Sequence, residues 1–178
     1  MRTIVHLSDL HFGSALTPTL EPLLARVLAL APDLVIISGD LTQRARGQQF
    51  RDAQTYLGRL PRPLLVVPGN HDIPLYDVVR RFVSPLGRYM QFVTNDLSPS
   101  FVDDEIAVVG INSARSLTFK GGTLSEGQVA RAAELFQALP HHLVRIVVTH
   151  HPLDIPAGLT SRAPSRTSGK EYAASRSA

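Results

Sequence analysis

Short apolar runs alternate with longer amphipathic stretches along the first half of the chain. Three such runs cover residues 3–7, 33–37 and 63–67. Apolar residues at consecutive positions are typical of strands that are buried on both faces, as in a parallel sheet. Between these runs, apolar residues recur at helical spacing over about 17–31 and 47–60. The pattern predicts a β-α-β-α-β unit in which helices cover a parallel sheet.

The second half of the chain has a looser pattern. Helical spacing is visible over 75–82, and two apolar runs flank the polar stretch 103–105, which predicts a hairpin. A capping box begins at Ser125 and predicts a helix that ends near residue 139. A further apolar run over 144–148 predicts another strand.

Polar residues follow four of the predicted strands immediately. They are Asp9 and His11, then Asp40, then Asn70, His71 and Asp72, and finally His150 and His151. Because ligands gather at the carboxyl ends of parallel strands, we expect these side chains to share one cleft. Carboxylates, an amide oxygen and imidazoles together suit Mn, Fe, Zn or Co ions. Turn formation or helix capping would explain polar residues after one strand, but not after four.

Composition narrows the class of protein. The chain has 178 residues, 44% hydrophobic and 19% charged, as expected for one globular domain. It has no cysteine, which excludes disulfides, thiolate nucleophiles and cysteine-based zinc sites. The N-terminus lacks the pattern of a signal peptide, and no apolar run reaches the roughly 18 residues of a membrane-spanning helix. We therefore expect a cytoplasmic protein without a membrane partner.

The net charge of +3 belongs to the C-terminal segment. Residues 1–155 contain equal numbers of acidic and basic residues, whereas residues 156–178 are basic and have few large apolar side chains. The pattern predicts one domain over 1–155 and a low-complexity, disordered basic tail over 156–178. The charge-balanced body argues against nucleic acid as a partner.

As an ordered set, the strand-end motifs resemble those of the calcineurin-like metallophosphoesterases. The set is Asp9-x-His11, Gly39-Asp40, Gly69-Asn70-His71-Asp72 and His150-His151-Pro152. Residues 8–13 and 110–115 are most similar to the bacterial class III cyclic-nucleotide phosphodiesterases. The resemblance covers about 1–155 and implies an α/β fold, an αββα sandwich of mixed β-sheets flanked by helices.

The resemblance also implies a centre with two divalent metal ions and a role for each matched residue. Five positions match the metal ligands of the family: Asp9 and His11 for the first metal, Asp40 as the bridging carboxylate, and Asn70 and His150 for the second. His71 matches the catalytic imidazole that contacts the substrate phosphate and assists the leaving group. The implied nucleophile is a metal-bridging hydroxide. The implied reaction is hydrolysis of a small-molecule phosphodiester, with a 3',5'-cyclic nucleotide as the implied substrate class.

Three residues beside the matched positions each have two interpretations. Asp72 could orient His71 or cap the helix that follows. His151 could face the cleft or pack behind His150. Arg115 could contact the substrate phosphate or be an ordinary surface arginine.

The sequence departs from the family pattern at its C-terminal end. The family carries a Gly-His-x-His motif that supplies one imidazole to each metal, and no histidine follows His151 here. We therefore expect a C-terminally truncated sandwich with a free sheet edge. Two alternatives stay open: a catalytically impaired remnant that binds one metal or none, and a nuclease of the same superfamily, which would need a positive surface for the nucleic-acid backbone. A homodimer is compatible with the sequence, which does not determine the oligomeric state.

Overall fold

The first half of the chain builds a three-stranded parallel sheet, as predicted. The computed structural model describes residues 1–14, 17–116, 122–153 and 166–167. The strands of this sheet, in spatial order, are β1 (Ile4–Leu7), β2 (Leu34–Ser38) and β3 (Leu64–Val67). All five residues of the central strand β2 are buried. The continuous apolar run in the sequence thus reflects burial on both faces of the sheet.

Two helices, α1 (Leu20–Leu30) and α2 (Gly47–Leu57), cover one face of this sheet. Leu24 of α1 and Phe50 of α2 belong to the same buried cluster as Ile37 of β2. Their amphipathic spacing places the apolar side of each helix on the sheet and leaves the polar side in solvent.

A second, mixed sheet comes from the second half of the chain. The strands of this sheet are β4 (Ser100–Val102), β5 (Ile106–Gly110) and β7 (Val144–Val148), and the short strand β6 (Thr123–Leu124) lies outside it. The sheet order is β4-β5-β7, with β4 antiparallel and β7 parallel to β5. The predicted hairpin is confirmed. Within the described part of the chain β7 lies at a sheet edge, where Val144 and Val147 are exposed.

The two sheets pack face to face. Side chains of β2 and β3 share one apolar cluster with side chains of β5 and β7, namely Leu34, Ile36, Leu65, Val67, Ile106, Val108 and Val148. Helix α5 (Glu126–Ala138) covers the outer face of the second sheet, where Ala132 packs with Val109. The predicted sandwich of two sheets flanked by helices is confirmed.

The described residues also contain the α-helices α3 (Val78–Val83), α4 (Gly87–Phe92) and α5 (Glu126–Ala138), and two 3-10 helices over Thr17–Thr19 and Asn70–Asp72. The capping box predicted for α5 is present, because the Ser125 hydroxyl accepts from the Gln128 amide. Helix α3 begins three residues later than its periodicity predicts. The carboxylate of Asp77 accepts from the Arg80 amide and caps the helix there.

The predicted basic tail lies almost entirely outside the described residues. Within it the structure describes only β8 (Arg166–Thr167), which pairs in parallel with β6. The boundary at residue 155 stays a prediction.

Candidate functional site

The ends of four strands converge at one place in the sandwich, with Asp40 at the centre. Ligand atoms of His11, Asp40 and His71 lie within 4.8 Å of one another. Ligand atoms of Asp9, Asp40 and His150 form a second group within the same limit. Residues far apart in the sequence are thus brought together because the parallel strands of both sheets end on the same side.

The two carboxylate oxygens of Asp40 face different neighbours. Oδ1 accepts from the His71 amide at 2.8 Å and lies 3.4 Å from His150 Nε2. Oδ2 lies 3.8 Å from His11 Nε2. Burial of the carboxyl favours its neutral form, but His150 and the His71 amide outweigh this and lower the pKa of Asp40. Asp40 is therefore an anion that two groups of side chains can share.

Main-chain carbonyls set the tautomers of two imidazoles. A carbonyl oxygen can only accept, so Nδ1 of His150 donates to Ser38 O at 2.8 Å, and Nδ1 of His71 donates to Gln43 O at 2.8 Å. In the neutral form of either ring, Nε2 is therefore the unprotonated nitrogen. Its lone pair is what a metal ligand has to supply.

Two acceptor oxygens lie beside Nε2 of His150. Its Nε2 lies 3.1 Å from Asn70 Oδ1 and 3.4 Å from Asp40 Oδ1. Burial disfavours a charged ring, yet the carboxylate of Asp40, the Ser38 carbonyl and the charge of Asp9 raise the pKa of His150 to about 9. The cluster therefore needs a cation among its acceptors. In the metal-free protein this cation is the proton on the His150 ring, and a divalent ion fits the same set of donor atoms.

The first group also has the chemistry of a cation site. His11 Nε2 lies 3.5 Å from Asp9 Oδ1, while His11 Nδ1 is buried and has no hydrogen-bond partner among the described residues. The rings of His11 and His71 meet edge to face, with centroids 4.9 Å apart. The Asp40 carboxylate and the two imidazoles, with the Asp9 carboxylate beside them, fit a borderline divalent cation.

The backbone at three of these residues is strained. Asp9, His11 and Asp40 have φ values of 57°, 45° and 51°, in the left-handed region that non-glycine residues rarely adopt. Hydrogen bonds between the two loops hold them there, since the Asp9 amide donates to Gly39 O and the His11 amide donates to Asp40 O. Strain of this kind, about 1–3 kcal/mol per residue, is concentrated at functional sites.

Two glycines allow the loops to approach. A Cβ at Gly39 would lie 2.6 Å from Nδ1 of His150, and a Cβ at Gly69 would overlap the Asp40 carboxylate. Gly39 also has a φ of +86°. Any side chain at either position would displace a proposed ligand.

Asp72 ties two of the strand-end loops together. Its Oδ2 accepts from the amides of Leu41 and Gly69, and its Oδ1 accepts from the amide and hydroxyl of Thr42. Burial, together with the charge of Asp40, raises the pKa of Asp72 to about 6 against the effect of the amide donors. The helix that follows is capped by Asp77, so Asp72 instead acts on the loops that carry Asp40 and His71.

His151 and Arg115 also occupy defined places. His151 packs edge to face behind His150, and its Nδ1 lies 2.8 Å from Ser113 Oγ. Burial lowers the pKa of His151 to about 4, and the charge of His150 adds to this. The guanidinium of Arg115 donates to Asn112 O, to Ala114 O and to the Gln128 side chain, which binds it to its own loop and to α5.

Sequence reasoning missed several residues that support the site. Ser38 and Gln43 act through main-chain carbonyls, which leave no signal in residue type. Thr42 and Ser113 are fully buried hydroxyl residues. The position of Thr42 just after Asp40 indicates from the sequence alone that it could line the mouth of the site, but not that it binds Asp72. The contact of Ser113 with His151 depends on the pairing of β5 with β7.

The helices were compared with the length and hydropathy that a membrane-spanning helix needs. None of those in the described residues is long and apolar enough to cross a bilayer.

Comparison with known proteins adds a family. A family model described as calcineurin-like phosphoesterase matches residues 2–176. The chain is 32% identical over 83 residues to the glycerophosphodiester phosphodiesterase GpdQ of Enterobacter lignolyticus, covering 43% of this chain and 30% of that protein. It is 30% identical over 125 residues to a probable GpdQ of Arcobacter nitrofigilis, covering 70% of this chain and 44% of the relative.

A third relative is more distant in sequence but aligns over more of the chain. It is a probable cyclic nucleotide phosphodiesterase of Vesicomyosocius okutanii, 20% identical over 157 residues, covering 84% of this chain and 61% of the relative. The chain thus spans between about a third and three fifths of the length of these curated relatives.

Proposed function

Because the chain belongs to the calcineurin-like phosphoesterase family, we propose that it hydrolyses phosphodiester bonds at a centre of two divalent cations. One observation carries the proposal. The oxygens of a single buried carboxylate, Asp40, face two separate groups of ligand atoms. A carboxylate in that position can bridge a pair of metals, which lie about 3.5–4 Å apart in hydrolytic sites of this kind.

Each cation would have its own ligands besides the shared one. Following the motif resemblance, Asp9 and His11, whose Oδ1 and Nε2 atoms lie 3.5 Å apart, would hold the first cation, and Asn70 and His150 the second, with Asp40 common to both. The structure also brings ligand atoms of Asp9 within 4.8 Å of those of His150, so Asp9 lies within reach of either cation. When bound, such cations lower the pKa of water and neutralise charge on phosphate oxygens. Manganese, iron, zinc and cobalt all accept this set of nitrogen and oxygen ligands.

His71 would act on the leaving group. Its Nδ1 is engaged by the Gln43 carbonyl at 2.8 Å, so Nε2 is the nitrogen that can carry a proton to substrate. In the proposed reaction water adds an oxygen to phosphorus while the bond to the leaving oxygen breaks. A proton from His71 Nε2 neutralises the departing alkoxide, and the proton that the attacking water releases to solvent balances it. The products are a phosphomonoester and an alcohol, which are parts of one molecule when the diester is cyclic.

The substrate class follows from the relatives and from the motifs. Two relatives are named for glycerophosphodiesters and one for cyclic nucleotides. Both of these compound classes are small phosphodiesters. We propose a small-molecule phosphodiester, with a 3',5'-cyclic nucleotide supported by the motif resemblance and a glycerophosphodiester by the higher sequence identities. Parallel assays with both substrates distinguish the two.

The test of hydrolysis compares two matched variants. The protein is loaded with Mn²⁺ and assayed on bis-p-nitrophenyl phosphate beside Asp40→Asn and Asp104→Asn. The control Asp104→Asn makes the same chemical change at an exposed carboxylate in the β4–β5 hairpin. We expect Asp104→Asn to retain the wild-type rate and Asp40→Asn to lose at least about a hundredfold, since positioned charge stabilisation is worth that much. Equal rates of hydrolysis in all three proteins would contradict the proposed mechanism.

The metal content tests the alternative of an impaired remnant. Elemental analysis of the loaded protein should find two metal ions per chain, and fewer in Asp40→Asn. One ion or none in the wild-type protein would favour the remnant. Binding of DNA that weakens steeply with salt would favour the nuclease.

A further inference from the structure

Ser113 contacts His151 at two atoms. Its hydroxyl oxygen accepts from the His151 main-chain amide at 3.3 Å and lies 2.8 Å from Nδ1 of the ring. Ser113 is fully buried, and His151 is 6% exposed. Nε2 of the ring is also buried and has no hydrogen-bond partner among the described residues. Within that part of the chain, the orientation of the His151 ring therefore depends on a single hydrogen bond, the one with Ser113.

The main chain around Ser113 is held from two directions. The Ile111 amide donates to Val148 O at 2.8 Å, which continues the pairing of β5 with β7 to within two residues of Ser113. From the other direction, the Thr123 amide donates to Ser113 O at 3.0 Å. A hydroxyl on a segment fixed in this way can hold its partner in one place.

Gly122 limits the space around the His151 ring. A Cβ at this position would lie 2.5 Å from Nδ1 and 2.8 Å from the Cβ of His151. Atoms in a packed interior do not approach so closely, so any other residue at 122 would displace the ring. The φ of Gly122 is outside the left-handed region, which means that the lack of space, and not the backbone, favours glycine here.

His151 in turn limits the orientation of the His150 ring. The two rings meet edge to face, with centroids 4.8 Å apart and planes at 81°. The His150 ring also donates through Nδ1 to Ser38 O. Rotation of a histidine ring about χ2 has a broad energy minimum, so one hydrogen bond fixes the ring plane only weakly. Contact with a second ring that is itself fixed restricts this rotation further.

We propose that Ser113 is a positioning residue for the second cation site. Through His151, it holds the His150 ring in the plane that directs Nε2 towards Asn70 Oδ1, 3.1 Å away. Removal of a group that supports a metal ligand commonly lowers metal affinity about 10–100-fold. The effect on the cation rests on the proposed function, whereas the orientation of the ring is a property of the metal-free protein.

The test compares the loss of two buried hydroxyl groups. Ser113→Ala removes the contact with the His151 ring. Tyr56→Phe is the matched control, because its hydroxyl is also buried but donates to Leu20 O, between helices α2 and α1. Both variants should lose similar stability on urea unfolding, since each leaves one buried partner without its hydrogen bond. A difference between them at His150 therefore does not come from stability.

The first measurement is the ring N–H signal of His150 in the metal-free protein. With isotopically labelled histidine, NMR should show the Nδ1–H signal in the wild type and in Tyr56→Phe, identified by its absence from His150→Gln. We expect Ser113→Ala to lose this signal, because a ring that turns away from Ser38 O exchanges its proton rapidly with water.

The second measurement is the affinity for Mn²⁺, determined by calorimetry. Ser113→Ala should raise the dissociation constant of one of the two cations at least about tenfold and leave the other unchanged. Tyr56→Phe should change neither constant.

A second pair of variants displaces the same ring without removing the hydroxyl, and it decides the question if Ser113→Ala does not fold. Gly122→Ala should lose the His150 signal, whereas Gly127→Ala, where a Cβ meets nothing within 4 Å, should retain it. A folded Ser113→Ala or Gly122→Ala protein with the wild-type signal would overturn the inference, as would a Tyr56→Phe protein without it. Neither measurement uses hydrolysis, so a wild-type protein that hydrolyses no phosphodiester would contradict the proposed function while the ring signal still decides the role of Ser113.

Discussion

Replacement of Gly69 by alanine tests the packing around Asp40. The backbone at Gly69 has φ −106° and ψ −178°, an extended conformation that alanine adopts without strain. Backbone freedom therefore favours alanine, which usually adds about 0.4–1 kcal/mol of stability by restricting the unfolded chain. What opposes the change is space, since the new Cβ would overlap the amide nitrogen and carboxylate of Asp40.

The expected effect is a loss of stability. Overpacking in a tight site costs about 1–3 kcal/mol. The Asp40 carboxylate cannot move freely, because it is buried and accepts from the His71 amide. Since the steric cost exceeds the gain from backbone freedom, we expect Gly69→Ala to lower the free energy of unfolding by about 1–2 kcal/mol. Displacement of Asp40 should also weaken divalent metal binding at least tenfold.

Gly127 of α5 supplies the matched control. A Cβ there meets nothing within 4 Å, and alanine is favoured over glycine in a helix by about 1 kcal/mol. Urea unfolding of both variants in EDTA, followed by Mn²⁺ titration, separates the two effects. The two substitutions should change stability in opposite directions. A Gly69→Ala protein that is as stable as Gly127→Ala and binds metal like the wild type would refute the argument.

Three further predictions concern the same loops. Thr42→Val removes a buried hydroxyl that accepts from the Ala45 amide at 3.0 Å, and urea unfolding should show a loss of about 1–2 kcal/mol, whereas Thr55→Val on the exposed face of α2 should change stability by less than about 0.5 kcal/mol. Because the pKa of His150 is raised to about 9, its ring is protonated at pH 7 and must release that proton to the buffer when a metal binds. Calorimetry of metal binding in buffers of different ionisation enthalpy should therefore detect about one proton released per chain. No proton release would contradict the assignment of His150 as a metal ligand. Chelation should lower the melting temperature of the metal-loaded wild-type protein more than that of Asp40→Asn, since the variant should bind less of the metal that stabilises the folded state. Equal shifts in both would argue against Asp40 as a ligand.

Much of the fold could be predicted from local patterns. The continuous apolar run at 34–37 identifies β2, because a strand that is buried on both faces has no polar side. The capping box at Ser125 marks the start of α5, and the polar stretch at 103–105 marks the turn of the β4–β5 hairpin. Helix α3 was less predictable. Its apolar side faces solvent, so its periodicity marks a helix without indicating which face is buried.

The candidate site was predictable in its members but not in its arrangement. Residue type and position after a strand single out Asp9, Asp40 and His150, because carboxylates and imidazoles are metal ligands and strand ends are where sheets place ligands. Residue type and position after a strand do not predict that Asp72 accepts from the amides of Leu41 and Gly69. An aspartate that only forms a turn would have the same sequence context, whichever way its oxygens point.

The sequence determines which chemical groups are available and where each strand stops, because these depend on residue type and on local apolar periodicity. The arrangement of those groups depends on which strands become neighbours. Only the pairing of β5 with β7, and the packing of that sheet on β1-β2-β3, bring His150 within 3.4 Å of an Asp40 oxygen more than a hundred residues earlier in the chain. The tautomers of His71 and His150 likewise follow from carbonyls of other segments. Distances, proton positions and buried charge are properties of the packed structure, since they arise between segments whose separation in sequence carries no record of their contact.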